Sequence, residues 1–149
     1  CEDARIWGDG KTAKEAWNEC ERGDWLLWWA QKEGQEIRSL TLAKARCAKL
    51  VIHLMKDKRS IDAVNVAERF GLGEANEQEL NTAAAAAAAA GAAYAAYAAY
   101  AAAAYAAYAA AYAAADAAAA ADDADDAVRK ETLLKCAEIV RENIKPTFI

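Results

Sequence analysis

The chain has 149 residues, enough for one domain with a real core, and its formal net charge is −5. The charge is uneven: residues 1–70 carry 13 Lys and Arg against 12 Asp and Glu, and residues 71–149 carry 5 against 11. An acidic total argues against bulk, non-specific nucleic-acid binding, which needs many phosphate contacts, but leaves room for a small anion site in the first half.

Helix start and stop signals follow one another along the chain. Thr12 with Glu15 has capping-box spacing and predicts a helix through Trp17 and Cys20 to about Arg22, ended by Gly23. Asp24 is the expected cap of a short, very apolar helix, Trp25-Leu26-Leu27-Trp28-Trp29-Ala30, and Gly34 breaks the chain again. From about Ile37 to Lys56, Leu40, Ala43, Cys47, Leu50, Val51 and Leu54 recur at three- and four-residue steps, the inner face of one helix. Ser60 is the expected cap of a fourth helix, with Ile61, Val64, Ala67 and Phe70 inward and Gly71 and Gly73 at its end. Asn76 with Glu79 repeats the capping spacing. A last helix is expected with Val128, Thr132, Cys136, Ile139, Val140 and Ile144 on one side, and Pro146 follows it.

Between those caps lies a stretch of unusual composition. From Ala83 to Ala121 every residue is alanine except Gly91, six tyrosines and Asp116. Alanine has the highest helix propensity, so helix is expected wherever the run is unbroken. Tyr94, Tyr97, Tyr105, Tyr108 and Tyr112 fall on one stripe, with Tyr100 off its edge and Asp116, Asp123 and Asp126 continuing it. A single helix from Asn76 to Lys145 would measure about 100 Å, against a radius of gyration of about 15 Å for a domain of this size. A break is therefore expected, at Gly91 or, preferably, at the Asp122–Asp123 cluster or the alanines before it. The whole predicts an all-α, compact bundle of about six helices around a long, broken Ala/Tyr-rich helix. It is a single domain, with a Trp-rich half at 1–75 and an Ala/Tyr-rich half at 76–149.

The four cysteines, Cys1, Cys20, Cys47 and Cys136, form no CxxC, and His53 is the one histidine that could join them. No metal site is expected from that spacing, and no cofactor. Cys20, Cys47 and Cys136 stand among apolar residues, as buried free thiols do in a reducing cytoplasm, the expected location. No signal peptide is visible, and Cys1 stands where a methionine would, so a few residues are expected to precede it. The alanine run is long enough to span a bilayer but only weakly lipophilic and studded with tyrosine, so no membrane span is expected.

Several blocks together carry a resemblance: Glu15-Ala16-Trp17-Asn18-Glu19-Cys20, then Gly23-Asp24-Trp25-Leu26-Leu27-Trp28, the Ala/Tyr repeat, and Arg129-Lys130-Glu131-Thr132-Leu133-Leu134-Lys135-Cys136. Over most of its length the chain resembles the Imm-5-like immunity proteins of bacteria and phages. The resemblance implies an intracellular protein that neutralises something by binding it; phage-encoded members would act against host defence. It brings no catalytic motif.

Four candidate sites follow, each with a structural reading beside it. Arg46, Lys49, His53 and Lys56 fall at i, i+3, i+7 and i+10, a basic helix stripe continued by Arg59; it would hold phosphates or an acidic surface, or be an ordinary solvated face. Trp25 and Trp28, with Trp29, would stack on bases or serve as hot spots, or anchor the core. The stripe of Tyr94, Tyr97, Tyr105, Tyr108 and Tyr112 would stack a flat ligand or form a homo-oligomer face, or supply bulk to an alanine helix. Asp122, Asp123, Asp125 and Asp126 lack the loop pattern of a calcium site; Asp125–Arg129 and Asp126–Lys130 have helix-supporting i, i+4 spacing.

No nucleophile–histidine–acid arrangement can be assembled around His53, so a non-enzyme is expected. Three functions remain open. The first is a stoichiometric neutraliser, an immunity or anti-defence protein that blocks a protein toxin or defence effector. The second is a sponge for a nucleotide-type immune signal in a basic and aromatic pocket. The third is a structural or ice-binding alanine-rich helix, although the regular threonines of such helices are missing.

Overall fold

Two reciprocal caps set the frame. The Thr12 hydroxyl oxygen accepts the Glu15 amide at 3.2 Å, and the Glu15 carboxylate accepts the Thr12 amide at 2.8 Å. Asn76 and Glu79 do the same, at 2.9 and 3.0 Å. A computed structural model of the chain describes residues 2–88 and 126–146. Those residues form helices α1 (Glu2–Gly8), α2 (Ala13–Glu19), α3 (Gly23–Lys32), α4 (Ile37–Lys49), α5 (Lys58–Gly71), α6 (Glu77–Ala88) and α7 (Asp126–Asn143), with a 3-10 turn at Ile52–Leu54. The fold is all-α, seven helices among the described residues where about six are expected; the extra one is the short α1. The break expected at Gly91 or near Asp122 lies outside the described residues.

α4 is the hub. It packs against α5, α3 and α7, while α6 packs mainly against α5 and reaches Ala45 of α4 through Leu80. The alanines of α4 make this possible, because Ala43, Ala45 and Ala48 are fully buried and let neighbours approach closely. The main core joins Trp17, Leu26, Leu27, Leu40 and Cys47 to Ala137 and Val140 of α7 and to Ile144 just past its end. A second cluster places Phe70 and Leu80 against Ala45, and a third gathers Ala48, Val51 and Val64.

Polar side chains fasten the helix ends. The Arg141 guanidinium, reaching from α7, donates to the Trp17 carbonyl at 3.0 Å and to the Cys20 carbonyl, closing the end of α2. Arg38 donates to the Phe70 carbonyl at 2.5 Å and lies 4.5 Å from the Phe70 ring centre, tying the start of α4 to the end of α5. Lys44 is buried within α4 and donates to Gln31 Oε1 at 3.1 Å. Burial pushes its ammonium down to about 8.

Four local expectations are corrected. Gly23 does not end a helix; it opens α3 and is buried, where an added Cβ would stand 2.3 Å from Cys136 Cβ and 2.7 Å from the Ala137 amide nitrogen. It is the contact point at which α3 crosses α7. Asp24 does not cap α3: the capping position is Arg22, without a side-chain cap, and Asp24 pairs with Arg22 instead. Asp57, not Ser60, caps α5, accepting the Arg59 amide at 2.8 Å. The helix expected over 37–56 stops at Lys49. There Leu50 and Val51 donate to carbonyls three residues back, which tightens the chain into the 3-10 turn and carries Val51 into the pocket with Ala48 and Val64. On the last helix, Ala137 and Val140 are buried, as is Ile144 just past its end, whereas Val128 is exposed. No helix of the described residues is long and apolar enough to cross a membrane.

Candidate functional site

The break after Lys49 dismantles the predicted basic stripe. Arg46 and Lys49 remain on α4, but His53 sits on the 3-10 turn, Lys56 in the following loop and Arg59 in the first turn of α5. Arg46 and Lys49 are engaged within the fold. The Arg46 guanidinium donates to Asn143 Oδ1 at 2.7 Å and lies 3.8 Å from Glu68, and Lys49 pairs with the same Glu68. Together they brace the end of α4 against α5 and α7. Arg59 is held by Asp57 at 2.9 Å. His53 and Lys56 are exposed.

The tryptophans divide. Trp17 is 2 % exposed and meets Trp29 edge-on at 5.8 Å, a core pair. Trp28 is 56 % exposed, with the Lys32 ammonium 5.9 Å from its ring. Trp25 does neither: it lines a cleft. Tyr94, Tyr97, Tyr105, Tyr108 and Tyr112 lie outside the described residues, as do Asp122, Asp123 and Asp125.

That cleft has a volume of about 670 Å³. α1 supplies Trp7, the α1–α2 loop Lys11, the end of α2 and its turn Glu19, Cys20 and Glu21, α3 and its cap Arg22 and Trp25, and α7 Arg129, Lys130 and Leu133. Trp7 and Trp25 meet edge to face, 6.1 Å apart at 61°. Each ring carries a cation: the Lys11 ammonium stands 5.2 Å from Trp7, and the Arg22 guanidinium 4.7 Å from Trp25.

Local folding holds these cations in place. Lys11 pairs with Glu19 across the capped α2 at 2.5 Å. Arg22 donates twice to Asp24, at 2.9 and 2.6 Å, and that bidentate bond holds its guanidinium in the charged form. Cys20, at the back of the cleft, donates its thiol to the Arg22 carbonyl at 3.5 Å. Burial pushes its pKa up, so it is a packed thiol and not a nucleophile.

The lining thus brings four cations to two carboxylates in a chain whose net charge is −5. Arg129 and Lys130 stand exposed on α7 opposite the paired tryptophans. What such a surface offers is attraction for anions and flat aromatic contact; it holds no pairing of a base with an activated nucleophile. Among the described residues, no group of three His, Cys, Asp or Glu side chains is placed to hold a metal ion.

Of the predicted site residues that are described, Trp25 alone lines this cleft. Trp7 belongs with the aromatic candidate only by preceding it in the chain, and Lys11, Arg22, Arg129 and Lys130 escape sequence reasoning as site residues. Arg129 and Lys130 read locally as i, i+4 partners of Asp125 and Asp126, and nothing local shows that α7 returns to α1 and α3. Set against known proteins, the chain matches no family model, no curated protein and no solved structure.

Proposed function

We propose that this chain is a stoichiometric neutraliser, an immunity or anti-defence protein that acts by binding and not by chemistry, and that it takes its target into the Trp7–Trp25 cleft. The observation that carries the reading is the cation–tryptophan lining: Lys11, Arg22, Arg129 and Lys130 around two indoles, in an otherwise acidic chain. Trp and Arg are the residues that dominate binding hot spots. Indole faces beside cations favour a ring-bearing anion of the nucleotide class, an immune signal held as by a sponge. The resemblance of the Trp-Asn-Glu-Cys and Gly-Asp-Trp-Leu-Leu-Trp blocks to immunity proteins points the same way.

Calorimetry of the purified chain against a panel of mononucleotides and cyclic dinucleotides tests this. One ligand should bind at one per chain. Arg129→Glu and Lys130→Glu, both on the surface of α7, should each weaken it about ten- to a hundredfold with helicity unchanged. Binding that ignores both reversals would remove the cleft from the reading.

A second reading keeps the neutraliser but makes its target a protein toxin or defence effector. Trp28 favours it: a large indole, 56 % exposed and beside Lys32, is a hot-spot type of group outside the cleft. Native mass spectrometry of protein purified gently from producing cells separates the two readings, by a bound species of up to about a thousand daltons or by a bound polypeptide. A bare chain on every preparation would count against both.

A further inference from the structure

Cys47 of α4 and Cys136 of α7 stand 89 positions apart in sequence and meet across the main core. The Cys47 thiol lies 3.7 Å from the Cys136 carbonyl and donates to it, which brings the two cysteines side by side. From the other side, the bare Cα of Gly23 presses on Cys136 Cβ, so the Cys136 side chain is confined between α3 and α4. Both thiols are free, but they differ in access: Cys47 is buried and Cys136 is half-buried. Their acidity differs too. The neighbouring Cys47 thiol draws the Cys136 thiol below the ordinary range, while the Cys136 side chain and burial keep Cys47 protonated. Cys20, the third thiol of this core, is turned away to the Arg22 carbonyl.

We infer that Cys136 is a thiol–disulfide exchange site for low-molecular-weight disulfides, with Cys47 as its resolving thiol, so that oxidation joins α4 to α7. In the first step the Cys136 thiolate attacks one sulfur of the small disulfide; a mixed disulfide forms, the small disulfide bond breaks, and one small thiolate leaves. In the second, Cys47 gives its proton to a departing small thiolate and attacks Cys136 Sγ, releasing the other half of the reagent. Two protein thiols are oxidised to one disulfide, and one small disulfide is reduced to two thiols.

The native chain incubated with oxidised glutathione, alkylated in acid and digested without reductant gives the test. The expected result is a linked Cys47–Cys136 peptide pair, no retained glutathione, and a melting temperature raised by about 5–15 °C. Cys47→Ala should leave glutathione trapped on Cys136. Three results would each overturn the assignment: glutathione retained on Cys136 of the unaltered chain beside an alkylated Cys47, a cross-link through Cys20, or a Cys136 that does not react. The first measurement uses the unaltered chain, so it stands even where the alanine variant fails to fold.

Discussion

Lys44 places an ammonium on a helix otherwise lined by Ala43, Ala45 and Ala48. Its folded pKa, about 8, lies below the ordinary 10.5, so between those values the folded chain binds fewer protons than the unfolded one. Stability therefore rises with pH across that window, and the burial penalty stands in full below about 8. Lys44→Met removes the titration. The stability of the variant relative to the unaltered chain should fall by about 3 kcal/mol between pH 8 and 10.5. Urea melts at several pH values check it, and a difference that stays flat with pH would mean that Lys44 is not desolvated. None of this was legible in the sequence, because only the tertiary packing of α4 buries Lys44. Gly23 was misread for a related reason: a glycine after a capped helix looks like a stop, and only the arrival of Cys136 makes it a contact point.

At the scale of elements, the capping signals were the most readable, because a cap and its partner lie three residues apart. The Thr12–Glu15 box is present as expected. Thr12→Ala should destabilise the chain by about 1 kcal/mol, and should loosen the cleft as well, since α2 holds the Lys11–Glu19 pair. Amide exchange in α2 faster than in α6 would show the local effect; equal protection in variant and unaltered chain would mean that packing alone holds α2. Where α4 ends was not readable. The apolar pattern runs on through Leu54, but burial of Val51 against Ala48 and Val64 favours a turn, and the turn scatters Arg46, Lys49, His53 and Lys56. Tertiary packing overrides periodicity there, and with it the first candidate site.

Across the whole molecule, α7 decides both the core and the cleft. It gives Ala137 and Val140 to one and Arg129, Lys130 and Leu133 to the other. All five tryptophans lie within residues 7–29, none on α7. Val140→Ala should nevertheless move the tryptophan-monitored unfolding transition, with a loss of about 1–3 kcal/mol, because α3, α4 and α7 share one core. A transition in helicity that precedes an unmoved tryptophan transition would mean that α7 comes away alone. The all-helical class was legible from the caps, the alanine content and the near absence of proline. The cleft was not, because it is assembled from the two ends of the chain.

The same connectivity has a consequence at the ribosome. Arg141 is joined to the chain 124 residues after Trp17, to whose carbonyl it donates. At about 5–20 residues per second, some 6–25 s separate the translation of Trp17 from that of Arg141. During that interval Trp17, Leu26 and Leu27 have no α7 to bury them, so the nascent chain offers hydrophobic-binding chaperones a surface that α7 later covers.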